Sequence, residues 1–216
     1  MYTHTSKFYN FLYDDLEDAN QKIKFLKNYI TKNQYTLIDI GSGSGHLSFG
    51  LASENHKLIC FEKEAPLFSV LMEKLKVRND LKHLMSIFPI DFCDLNKCFS
   101  VDIIFASNVM SQIDYSKKLH LFDKAFQNLK SNGKFIFNCV QYINRRPEQP
   151  LSEIHKKIYG PNTIHHIAGS KSMDNKNQFE ITYKYLLKHE MDVIAEFNDC
   201  LLIEFDFVDQ IRESIL

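Results

Sequence analysis

Glycine is scarce in this chain, and nearly half of it is concentrated in one short stretch. Three of the seven glycines, Gly41, Gly43 and Gly45, fall within five residues. The apolar, β-branched run YTLIDI directly before them predicts a buried strand, and a helix is predicted directly after them. Glycine at such a turn lets the backbone approach a ligand closely and adopt positive φ angles. The stretch therefore predicts a ligand site where the strand is followed by the helix.

Strands and helices alternate along the first two thirds of the chain. This alternation predicts a doubly wound, mostly parallel α/β sheet with helices on both faces. The predicted strands are 35–40, 57–61, 84–90, 101–106 and 134–140, and the predicted helices are 16–30, 45–54, 65–78 and 116–130.

The pattern changes after Gln141. Prolines and a glycine predict a loop with one short helix over 142–162, and four short strands follow as a C-terminal antiparallel β insertion. A tight turn near 188–190 joins two of these strands, and a last helix is expected from about Phe207. The four predicted strands are 163–168, 178–187, 191–197 and 200–206. The predicted organisation is an N-terminal aromatic segment and helix over 1–34, an α/β core over 35–141, the insertion over 142–206 and the start of a final helix over 207–216.

Acidic residues stand at the ends of three successive predicted strands. Asp39 stands two residues before Gly41, Glu62 follows the second strand, and Asp91 with Phe92 follows the third. A carboxylate beside the glycine turn suits an ammonium group, and one at the tip of the second strand can accept hydrogen bonds from both hydroxyls of a ribose. Asp91 can accept a hydrogen bond from an adenine amino group while Phe92 packs on the ring. The three acids together predict a ligand that carries an ammonium, a ribose and an adenine.

The spacing of the glycines disfavours a nicotinamide dinucleotide. The pattern is G-x-G-x-G, with His46 where a dinucleotide fingerprint has its third glycine or an alanine. A Tyr-x-x-x-Lys pair is also missing after the fourth and fifth predicted strands. Two interpretations of the chain's function nevertheless stay open as alternatives. One is an NAD-dependent oxidoreductase, and the other is a catalytically silent subunit that binds a cofactor.

Taken in order, the motifs LIDIGSGSG, Glu62, Asp91-Phe92, VDIIFASNVM and LKSNGKFIF resemble those of class I S-adenosylmethionine-dependent methyltransferases over residues 35–141. The resemblance implies a Rossmann-like fold and S-adenosylmethionine as the cofactor. The aromatic N-terminal segment and the antiparallel insertion are similar to the small-molecule branch that includes glycine and amino-sugar N-methyltransferases. The cofactor-binding residues that the resemblance implies are Asp39, Gly41, Ser42, Gly43, Gly45, Glu62, Lys63, Asp91, Phe92, Ala106 and Asn108, with Tyr9 or Tyr13 closing over the cofactor.

Methyl transfer from a sulfonium needs little acid–base catalysis. It is an in-line displacement at an electrophilic sulfonium carbon, so near-attack geometry can supply roughly 7–11 kcal/mol of the catalysis. A base is needed only if the acceptor arrives protonated, and His165 or His166 could then take the proton near neutral pH. Asp14 or Asp15 could attract a cationic amine. The expected acceptor is a small molecule, methylated at an amine nitrogen.

Charge and composition argue against nucleic acid and membrane partners. The chain has 26 basic and 27 acidic residues, which provides no electrostatic surplus for a polyanion. The residues after the fourth predicted strand read SNVM, in place of the Pro-Pro-aromatic tetrad that DNA amino-methylating enzymes generally carry. No run approaches 18 apolar residues, so no segment is expected to span a bilayer.

Cysteine usage and the end of the sequence complete the expectations. Five cysteines without CxxC spacing favour reduced thiols in a cytoplasm over a disulfide framework or a metal site. A sheet of this family continues into two further strands, for which no residues remain. We therefore expect a truncation, a homodimer or partner chain that completes the sheet edge, or an edge left open.

Overall fold

The computed structural model describes residue 8 and residues 17–138, 148–159, 161–173 and 178–204. These residues form one parallel and one antiparallel sheet. The parallel strands are β1 (Thr36–Ile40), β2 (Lys57–Phe61), β3 (Met85–Phe88), β4 (Val101–Ala106) and β5 (Leu129–Phe137). The helices are α1 (Glu17–Lys27), α2 (His46–Ala52), α3 (Ala65–Val77) and α4 (Tyr115–Asn128), with 3₁₀ turns at Asn79–Leu81, Phe92–Asp94 and Met110–Gln112.

The parallel sheet has the strand order β3-β2-β1-β4-β5, so β1 is its central strand. The chain runs outward from β1 to β3 and then returns to β4 on the other side of β1. Ligands of open α/β sheets bind at such a reversal, beyond the carboxyl ends of the strands. The residues that directly follow the five strands therefore lie side by side along the carboxyl-terminal edge of the sheet, in the strand order β3-β2-β1-β4-β5.

The β1 strand is buried on both faces. Leu37 packs with leucines of α1, α2 and α3, and Ile38 packs on the opposite face with Leu121 of α4. Full burial explains the continuous apolar run, because helices cover both sides of the sheet. The predicted doubly wound α/β sheet is confirmed, and the predicted limits of β2 and β4 match the structure.

The second sheet is antiparallel, and its strands are β6 (Gln149–Tyr159), β7 (Asn162–Ser172), β8 (Gln178–His189) and β9 (Asp192–Glu204). They pair in chain order, which confirms the predicted antiparallel insertion. The ring of Phe8 stacks on Tyr185 of β8 at 5.3 Å and is tilted against Phe197 of β9 at 5.4 Å. This sheet also reaches the first one, since β9 contacts the 3₁₀ turn Met110–Gln112.

Three predicted elements differ in kind from those of the structure. Residues 149–159 form β6 in place of a loop and short helix, because an edge strand tolerates Pro150 near its beginning. The strands predicted at 191–197 and 200–206 are one strand, since pairing with β8 continues through Asn198 and Asp199. In β5 the predicted turn at 131–133 is a bulge inside the strand, with Asn132 at φ 65°.

Two further expectations concern the last predicted helix and segments that could span a membrane. The helix predicted from Phe207 falls outside the described residues. Within the described part of the chain, no helix combines the length and apolarity needed to cross a membrane.

Candidate functional site

The glycine turn follows β1, and its three glycines divide into two kinds. All three have positive φ angles, of 66°, 57° and 84°. A Cβ atom on Gly41 would lie 2.6 Å from Cγ2 of Val109, and one on Gly45 would lie 2.2 Å from Cδ1 of Leu71. A Cβ atom on Gly43 would meet nothing within 4 Å. Gly41 and Gly45 therefore serve packing as well as backbone shape, whereas Gly43 faces open space.

Glu62 is brought against this turn by the pairing of β1 with β2. Its Oε2 accepts a hydrogen bond from the Gly43 amide at 2.7 Å, and its Oε1 accepts one from the Glu64 amide at 2.8 Å. The side chain is buried, and burial raises the pKa of this carboxyl group above its usual value. The carboxylate thus holds the middle of the turn and stands where the second strand ends.

Asp39 is buried behind the turn in a small polar network. Ser48 donates a hydrogen bond to its Oδ2 at 2.5 Å, and the Cys60 thiol donates to the Ser48 hydroxyl at 3.1 Å. Burial raises the pKa of Asp39 to about 7 and that of Cys60 to about 12. Within the described residues no cation pairs with Asp39. Ser42 braces the same turn by donating its hydroxyl to the Asp39 carbonyl at 3.0 Å.

Asp91 and Lys63 form an ion pair between the ends of β3 and β2, with Nζ 2.9 Å from Oδ2. Burial acts to raise the pKa of Asp91, but the hydrogen bonds from Lys63 and from the Cys93 amide hold it below its usual value. The Phe92 ring is buried edge-on against Phe61, with centroids 5.2 Å apart. Asp91 caps a 3₁₀ turn from which Phe92 packs into the core, and the packing of this ring on a ligand stays a prediction.

The ends of β4 and β5 form the other side of the site. Ala106 is buried at the end of β4, and Asn108 is exposed at φ 60°. The backbone N–H of Asn108 donates to Oδ1 of Asn138 at 2.6 Å, and Nδ2 of Asn138 donates to Oδ1 of Asn108 at 2.7 Å. Asn138 was missed by sequence reasoning, because β5 was predicted to run through it to residue 140. An earlier end of β5 would have placed it level with Asn108.

A small groove, open to solvent, lies between α1 and the ends of β4 and β5. Its wall from α1 includes Lys22 and Phe25, and its wall from the sheet includes Ser107, Ile136 and Asn138. The groove is mostly apolar, and Ala106, the last residue of β4, is one of its lining residues. It therefore presents an apolar surface beside the end of β4.

The two predicted histidines point to opposite faces of the second sheet. His165 is hydrogen-bonded to Glu153 on the face that also carries the Lys184–Glu196 ion pair. His166 is fully buried and stacks on Tyr185, with centroids 4.7 Å apart. Neighbours on a strand alternate between faces, which explains the separation. Their catalytic role stays a prediction, and Tyr9, Tyr13, Asp14 and Asp15 lie outside the described residues.

Comparison with solved structures identifies the fold as that of S-adenosylmethionine-dependent methyltransferases. An S-adenosylmethionine-dependent methyltransferase from Clostridium acetobutylicum matches with a TM-score of 0.73 and 15% identity, over 98% of this chain and 85% of that one. CalS10, an amino pentose methyltransferase from Micromonospora echinaspora solved with S-adenosylmethionine bound, matches with a TM-score of 0.73 and 10% identity, over 92% and 80%. The sugar N-methyltransferase KedS8 from a Streptoalloteichus species matches with the same TM-score of 0.73 and 10% identity, over 92% and 76%. No protein-family model and no curated protein sequence matches the chain.

Gly43 and Gly45 should respond differently to the same substitution. Gly43→Ala meets only the strain of a positive φ, about 1–2 kcal/mol. Gly45→Ala meets the same strain and also overpacks against Leu71 and Phe49, which adds about 1–3 kcal/mol. Urea unfolding of both variants should therefore show the larger loss of stability for Gly45→Ala. Equal losses would contradict the assignment of Gly45 to packing.

Asp39 should make stability fall as the pH rises. A carboxyl group whose pKa is raised to about 7 binds its proton more tightly in the folded protein, so stability is lost between about pH 4 and pH 7. Asp39→Asn removes this dependence and should gain about 2–3 kcal/mol relative to the parent between pH 5 and pH 8. Urea unfolding across that range measures it, with the exposed Asp123→Asn as control. Parallel curves for parent and Asp39→Asn would refute the interpretation.

Proposed function

We propose that this chain binds S-adenosylmethionine over the glycine turn and transfers its methyl group to an amine nitrogen of a small molecule. The observation that carries the proposal is that Asp39 and Glu62 are buried beside a turn whose middle glycine faces open space, and that Asp91 follows the next strand and pairs with Lys63 beside Glu62. The fold supports it, since the neighbours that share this fold include one solved with S-adenosylmethionine bound.

The residues fit the chemical groups of this cofactor. The strand order puts Asp91 beyond the outer strand β3, Glu62 and Lys63 beyond β2, and Asp39 on the central strand β1. In the proposal Asp91 accepts from the adenine amino group, Glu62 accepts from the ribose hydroxyls, and Asp39 balances the ammonium group. A buried carboxyl group without a cation partner in the described residues supports the last assignment, because an ammonium nearby would favour its ionised form.

S-adenosylmethionine supplies an electrophilic methyl group on a sulfonium, so the protein has mainly to orient the acceptor. The groove lined by Phe25, Ile136 and Asn138 lies beside Ala106, and in this proposal the acceptor approaches along it. In this proposal residues 35–141 hold the cofactor and residues 142–206 face the acceptor side. An amino sugar is the acceptor class we propose, because CalS10 is an amino pentose methyltransferase and KedS8 is a sugar N-methyltransferase.

Binding of S-adenosylhomocysteine tests the cofactor assignment. Isothermal titration calorimetry should show one site for this product and no uptake of NAD, since His46 occupies the place of the third dinucleotide glycine. Glu62→Gln should weaken binding at least tenfold, because glutamine offers one acceptor oxygen where two are used. Glu73→Gln on the exposed face of α3 is the matched control and should bind like the parent.

The outcomes separate the candidate functions. Uptake of NAD without uptake of S-adenosylhomocysteine would overturn the proposal in favour of an oxidoreductase. Thermal unfolding of Glu62→Gln shows whether weaker binding merely reflects a less stable fold. Transfer of labelled methyl groups to a panel of amino sugars, with their hydroxyl analogues as controls, then tests the acceptor class.

A further inference from the structure

Two hydrogen bonds join the ends of β4 and β5: the side chain of Asn138 bonds to both the backbone and the side chain of Asn108. The backbone N–H of Asn108 donates to Asn138 Oδ1 at 2.6 Å, and Asn138 Nδ2 donates to Asn108 Oδ1 at 2.7 Å. A third bond, from Gln112 Nε2 to the Asn108 carbonyl at 2.6 Å, holds the turn from its other side. We call this pair of asparagines the amide clasp.

The amide clasp acts on a turn that touches the glycine turn. Val109 follows Asn108, and its Cγ2 occupies the space that a Cβ atom on Gly41 would need. Asn108 also holds a positive φ of 60°, a conformation that asparagine adopts more readily than most residues other than glycine. The clasp thus adds hydrogen bonds to a turn that the Asn108 backbone already allows, and through Val109 it fixes the position of that turn against Gly41.

The order of the strands shows which part of a nucleoside ligand lies nearest the clasp. In the proposed function, adenine lies at the end of β3 and ribose at the end of β2, so the remaining arm extends past β1 toward β4. Ser107 and Asn138 directly follow β4 and β5 on that side. A ligand that lacks this arm would not reach the turn that the clasp holds.

We propose that Asn138 is a positioning residue for the amino-acid arm of the cofactor, acting through Asn108 and Val109. This inference rests on the proposed function, because it assumes that S-adenosylmethionine occupies the site. It assigns a binding role to a residue that the motifs of the sequence did not indicate.

Two ligands that differ only in that arm test the assignment. S-adenosylhomocysteine carries the amino-acid arm, and 5′-methylthioadenosine has the same nucleoside and sulfur without it. Asn138→Ala should weaken S-adenosylhomocysteine about tenfold, since it removes two neutral hydrogen bonds, and leave 5′-methylthioadenosine within about twofold. A general loss of stability would weaken both ligands alike, so the ratio of the two dissociation constants is the measurement.

A second variant approaches the clasp from its other side. Asn108→Gly keeps the positive φ and the backbone donor but removes the side-chain acceptor, so it should shift the ratio by about threefold. The double variant should shift it no further than Asn138→Ala alone, because both substitutions remove the same side-chain bond. Asn132→Gly, at the bulge near the opposite end of β5, is the control and should leave the ratio unchanged.

The failures can be told apart. A parent protein that binds neither ligand would overturn the proposed function itself. A parent that binds both, with the same ratio in Asn138→Ala, would overturn the role of Asn138 and leave the proposed function intact.

Discussion

Two buried carboxyl groups at the edge of the parallel sheet are the constraint on which the rest of the site depends. Asp39 and Glu62 lie close enough that the charge of Glu62 helps to raise the pKa of Asp39, in addition to the larger effect of burial. Removing such charges from water is costly unless hydrogen bonds or a cation compensate. Backbone amides compensate Glu62, and Ser48 compensates Asp39 in part. The glycine turn therefore has to stay close to Glu62, and its positive φ angles make this possible.

Much of the parallel sheet could be predicted because its signals are local. A strand that is buried on both faces appears as a short apolar run, and the limits of β2 and β4 follow directly from KLICF and VDIIFA. The acids at the strand ends were found in the same way. Pairing partners are not a local property, which is why the bulge in β5 and the single long strand β9 were missed.

The candidate site shows the same limit at the level of single side chains. The sequence places Phe92 beside Asp91, but the direction of its ring depends on a 3₁₀ turn that Asp91 caps. Asn138 lies thirty positions after Asn108 along the chain. The two residues meet because β5 ends level with β4. His165 and His166 are adjacent in sequence, yet the pleat gives one an ionic neighbour and the other an aromatic one.

The stack of Phe8 on Tyr185 and Phe197 joins residues that are almost the whole sequence apart. A contact of this span carries a large loop-closure entropy and is expected to form late in folding. During synthesis Phe8 can form this stack only after Tyr185 and Phe197 have emerged from the ribosome, long after Phe8 itself.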